Sequence, residues 1–98
     1  MKVHRPTEEY FNDPNIITFE ESLLNKLLEL AEELKNFSYP STLSGQRGQL
    51  VQIAESICHY NKLYIDCMRR NDYQGYKNHL NQFRHAVDSL FQYYHSLV

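Results

Sequence analysis

The chain is poor in turn formers: its 98 residues hold three glycines and three prolines. That scarcity excludes a fold built from many short strands and tight turns. Cysteine is scarce as well. Cys58 and Cys67 stand nine residues apart. On one helix the rise separates them by about 13 Å, beyond the ~6 Å that a disulfide spans. They read as small buried apolar side chains, which fits a reducing compartment and a cytoplasmic location. No run approaches ~20 apolar residues, so no membrane span is expected. No secretory leader is expected either, because polar residues follow Met1–Pro6. The net charge of −2 neither recruits nor excludes a partner.

What the chain does hold is 42% hydrophobic residues, ordinary for one folded domain and too many for a disordered segment. They are spaced for helices. Tyr73, Tyr76, Leu80, Phe83, Val87, Leu90, Tyr94 and Leu97 recur in alternating steps of three and four. Apolar groups at a mean of 3.5 residues line one stripe of an α-helix, so the spacing predicts a helix over 73–97. Leu43, Gln46, Leu50, Ile53, Ile57, Tyr60, Tyr64 and Cys67 repeat the pattern and predict a helix over 43–70. Val51, Ala54, Cys58, Ile65 and Met68 form a second stripe beside it, interrupted by Arg47 and Asn61. Gly45 and Gly48 share one face, where another backbone would be able to come close.

Thr18-Phe19-Glu20-Glu21 reads as a capping box that opens a helix over 19–37. Leu23, Leu27, Leu30, Leu34 and Phe37 make its first stripe, and Leu24, Leu28 and Ala31 a second. That width calls for two neighbours. Tyr39-Pro40 ends the helix, Ser41 or Thr42 caps the next, and Asn71 or Asp72 caps the last. Residues 1–17 read as an N-terminal arm, docked through Tyr10-Phe11 and Ile16-Ile17.

Short loops make neighbouring helices antiparallel. The expected fold is all-α: an antiparallel up-down-up bundle of three long helices over 18–98, preceded by the arm. The three helices carry more apolar face than three helices need. Val51, Cys58, Ile65 and Met68 on the second, with Phe91 and Tyr94 on the third, are therefore the expected protein interface, toward a second copy or another protein.

No catalytic constellation is present. No serine or cysteine has a base at fixed spacing, and adjacent Cys58 and His59 diverge by ~100° on a helix. Glu29, Glu32 and Glu33 resemble the Glu-x-x-Glu of all-α nucleotide pyrophosphohydrolases, but the second acidic motif is missing. Glu55 and His59 lack the repeated Glu-x-x-His of di-iron bundles. No catalytic residue, metal or cofactor is expected. Arg47, Lys62, Arg69, Arg70, Lys77 and Arg84 make the second half mildly basic. Most lie around the junction of the second and third helices, near Tyr73 and His79. Cations neutralise phosphates and aromatics stack on bases, so these six are the candidate contacts to RNA or DNA.

The run from Phe37 to Arg47, then Ala54-Glu55-Ser56-Ile57 and Asn61, is similar to the first loop and second helix of a family of small bacterial four-helix bundles. Those are encoded in intervening sequences of large-subunit ribosomal RNA genes, and the accessory proteins of diversity-generating retroelements share their fold. Tyr76-Lys77-Asn78-His79-Leu80, followed by Ala86-x-x-Ser89-Leu90, is similar to the third helix of that family. The resemblance implies a homopentameric assembly that binds nucleic acid through basic side chains and, in retroelements, a reverse transcriptase. The chain departs from the family in lacking a fourth helix and in its acidic balance. The expectation is a non-enzymatic, self-associating helical bundle that serves as an accessory binding module, with nucleic acid as one ligand. The alternative is a protein–protein module, such as a small regulator, antitoxin or phage-type inhibitor, that docks an apolar helix face on a target.

Overall fold

A computed structural model describes residues 10–38 and 44–96. It is all-helical: α1 spans Pro14–Asn36, α2 Ser44–Arg69 and α3 Tyr73–Ser96. The described residues contain no strand. Residues 1–9 of the arm, the Ser41 or Thr42 cap, Leu43 and Leu97 lie outside the described residues.

α1 starts at Pro14, five residues before the expected position 19. Asp13 is its cap, and the carboxylate accepts the Asn15 amide at 2.8 Å. Pro14 sits where an amide has no helical partner in any case. Thr18 is therefore inside the helix, and its hydroxyl donates back to the Pro14 carbonyl at 2.8 Å. The capping box does not form. Of the expected arm, residues 14–17 are helix, and a turn closed by the Asp13 amide on the Tyr10 carbonyl precedes them.

The joint between α2 and α3 is tight. Asn71 adopts φ 57°, a left-handed conformation that asparagine tolerates. Its amide bonds to the Met68 carbonyl and the Asp72 amide to the Cys67 carbonyl, the pair of bonds that ends a helix in a Schellman turn. Asp72 then caps α3, accepting the Gly75 amide at 3.0 Å.

α2 lies in the middle, with α1 and α3 both packed on it, and no Cα of α1 comes within 8 Å of one in α3. The core gathers at the end that carries the α2–α3 turn. Phe11, Tyr64, Ile65, Cys67, Met68 and Tyr76 are buried there, and Ile16, Ile17, Leu24 and Phe83 pack against them. Phe11 stands 5.1 Å from the Tyr73 ring and 5.3 Å from the Tyr76 ring. Tyr64 meets Tyr76 and Phe83 edge-on at 5.9 and 5.4 Å. Of the expected interface, Ile65 and Met68 are buried in the cluster that Phe11 joins, and Cys58 is 6% exposed at the floor of an apolar groove. Val51 is half-buried.

Candidate protein-docking groove

Arg47 stands apart from the cations around the α2–α3 turn. Arg47 and Arg69 are 22 residues apart on α2, roughly 33 Å along the axis. Arg47 donates to the Lys35 carbonyl on α1. Arg69 bridges Glu21 at 2.9 Å and Asp66 at 3.3 Å, so two carboxylates answer its charge. Arg70 points a guanidinium nitrogen at the Cys67 sulfur, 3.5 Å away. Lys77 lies 5.2 Å from the centre of the Tyr73 ring, a cation–π contact. Lys62 borders a hollow of mixed charge with Glu55, His59, Glu32 and Lys35. Arg84 is exposed. A phosphate-binding surface gathers cations; here Arg69 is matched by two carboxylates and Lys62 borders a hollow of mixed charge.

Burial first, then the charge of Glu55, raise the Cys58 thiol above its ordinary range, which keeps it protonated and a poor nucleophile. Among the described residues no three His, Cys, Asp or Glu side chains gather as metal ligands.

At the end away from the core, α1 and α3 stand apart on either side of α2. A groove of about 440 Å³ opens there, walled by Leu27, Leu30, Leu34 and Phe37 of α1 and by Leu90 of α3, over Ala54, Ile57 and Cys58 of α2. The small side chains Ala31 and Ala54 leave the room. A second hollow of about 350 Å³, lined by Leu50, Leu90, Phe91, Tyr93 and Tyr94, shares Leu90 with it. Leu30 is 54% exposed, Phe91 58% and Tyr94 63%. The Tyr93 hydroxyl donates to the Gln46 carbonyl at 3.1 Å and ties the α3 wall to α2.

Phe91 and Tyr94, of the expected interface, line the second hollow. Leu30 and Phe37 line the first, although their stripe reads as inward core. Their sequence signal is the width of the α1 apolar face, which asks for a second neighbour. No helix of the described residues is long and apolar enough to cross a membrane. No protein-family model, curated protein or solved structure matches the chain.

Proposed function

We propose that the chain acts by binding rather than by catalysis, as a helical module that docks a protein surface in the apolar groove. Its helices run up-down-up, each antiparallel to the next. The Glu20–Tyr64 and Lys35–Arg47 bonds support that order for α1 and α2. Tyr93–Gln46 and the Tyr64–Phe83 contact support it for α2 and α3. The observation that carries the reading is the pair of apolar hollows that share Leu90, with Leu30, Phe37, Phe91 and Tyr94 each more than half in water. Contiguous apolar faces of this kind mark interaction sites.

A helical peptide with a leucine stripe on one face tests it. Binding at low micromolar concentration is the expected result, weakened roughly 10-fold or more by Leu30→Asp. Leu30 is exposed, so the fold tolerates the change. A chain that neither binds such a peptide nor associates with itself refutes the reading. A mobility shift with RNA and DNA tests the nucleic-acid alternative. Binding that weakens steeply with salt, and falls with Arg69→Ala plus Arg70→Ala, would move the assignment there.

A further inference from the structure

We infer that the groove takes one helical segment of another protein, about five turns long, seated in the angle between α1 and α3. It carries carboxylates where it meets Lys26 and Arg84 and a basic side chain where it meets Glu33. This rests on the reading of the groove as a docking surface. The first ground is the line of the exposed apolar groups. Phe19, Leu23, Leu30 and Phe37 of α1, with Phe91 and Tyr94 of α3, are six of the eight large apolar side chains exposed among the described residues. On α1 they fall in one row with Lys26 and Glu33, at 19, 23, 26, 30, 33 and 37. Arg84, Val87, Phe91 and Tyr94 make the matching row on α3. Steps of three and four keep each row on one side of its helix. The hollows fix which side: Leu30, Glu33 and Phe37 line the first, Phe91 and Tyr94 the second. Both rows therefore border the angle between α1 and α3.

The second ground is shape. α1 and α3 both pack on α2, and no Cα of one comes within 8 Å of the other, so three corners of a four-helix arrangement are filled. A helix in the open corner touches α1 on one flank, α3 on the other, and the Ala54, Ile57 and Cys58 floor between them. It needs a broad apolar face. The helices of a second copy have already placed the middle of theirs on their own α2: Ala31 of α1 and Tyr76 of α3 are buried there. A segment that is unpacked until it binds presents its whole face, as in helix-in-groove recognition. From Phe19 to Phe37 the row rises roughly 27 Å, which sets the length.

The third ground is charge. Tyr64 of α2 reaches Glu20 on α1 and Phe83 on α3. Near the other end of α2, Gln46 and Arg47 reach Tyr93 and Lys35. Between these two levels, Lys26 and Arg84 stand in the half nearer Tyr64, and Glu33 in the half nearer Arg47. Among the described residues neither Arg84 nor Glu33 makes an ion pair, and Lys26 meets Glu29 at 3.8 Å with both side chains mostly in water. Two cations at one level and a carboxylate at the other complement a helix of the opposite pattern, acidic at one end of its stripe and basic about seven residues away. A helix basic along its whole flank meets Lys26 and Arg84 with like charge and is disfavoured.

Fluorescence anisotropy with three labelled peptides of about five turns, all with the same leucine stripe, tests the inference. One carries glutamates beside one end of the stripe and a lysine two turns away. The second carries lysines at all these positions, and the third glutamines. The first binds about 3–10-fold more tightly than the third, the second binds more weakly than the third, and both differences shrink with added salt. Lys26→Glu with Arg84→Glu reverses the order of the first two. Phe19→Asp weakens the first about 10-fold, although Phe19 lines neither hollow. All three positions are exposed, so helix content by circular dichroism is unchanged. Equal affinity for the three peptides, or binding indifferent to Phe19→Asp, overturns this inference and leaves the docking reading standing. Light scattering separates the remaining cases. A chain that binds no peptide and associates with itself overturns the segment of another protein alone. A chain that binds none and stays single overturns both.

Discussion

Tyr64 donates a 2.6 Å hydrogen bond to the Glu20 carboxylate across the α1–α2 contact. Burial, then that bond, then the Glu20 charge push its hydroxyl well above the ordinary 10.0. Burial and the same carboxylate raise Tyr76, and burial raises Cys58. Each group keeps its proton in the folded chain at a pH where the unfolded chain has lost it. Stability is therefore fully present below the unfolded values, near pH 9 to 10, and falls as pH rises above them. Urea melts across pH 7 to 11 check this. Tyr64→Phe flattens part of the alkaline loss and costs about 1–2 kcal/mol at pH 7, because the hydrogen bond to a charged acceptor is gone. A flat profile for the parent chain refutes the linkage. The apolar stripe of α2 marks Tyr64 as a core residue from spacing alone. Its partner is hidden from spacing, because Glu20 stands 44 residues away and reads as part of a capping motif or the wet face of α1.

At the scale of elements, the glycines separate what spacing can tell from what it cannot. Gly45 and Gly48 share a helix face and read as a place for close approach, yet a Cβ added at either meets nothing within 4 Å. The crowded glycine is Gly75. A Cβ there would collide with Asp72 Oδ2 and come within 2.9 Å of Asp72 Cγ and the Cys67 sulfur. It would push on the carboxylate that caps α3 and on a buried atom of α2. Helix propensity alone favours alanine over glycine by about 1 kcal/mol. Gly48→Ala should show a gain of that order in a thermal melt. Gly75→Ala should instead cost about 1–3 kcal/mol, as overpacking does. Equal effects at the two positions would contradict this account of the turn. Asn71 and Asp72 are legible as turn and cap residues from their chemistry. The crowding at Gly75 is not, because it depends on how closely the Schellman turn folds α3 back on the end of α2.

Among the described residues the bundle is closed at one end and open at the other, and this reverses a ranking that periodicity supports. Leu30 belongs to a regular stripe of α1, whereas Phe11 falls in a stretch that reads as arm. In the fold Phe11 is 0% exposed between Tyr73 and Tyr76, and Leu30 is 54% exposed. Asn12 adds a 3.1 Å bond to Asn71, so the turn before α1 is fastened to the turn after α2. Helix count and core stripes are readable because they are local and periodic. Which end of the bundle closes depends on where one aromatic outside the repeat docks, and no spacing rule records that. Phe11→Ala should therefore cost about 3–5 kcal/mol, the range for emptying a buried aromatic site and a large part of the ~5–15 kcal/mol that holds a small domain together. Leu30→Ala, measured at a dilution that keeps the chain single, should cost well under half as much. Urea midpoints with an unchanged slope decide it. If Leu30→Ala proves as costly as Phe11→Ala under those conditions, Leu30 is core, the groove is closed in solution, and the docking surface is lost with it.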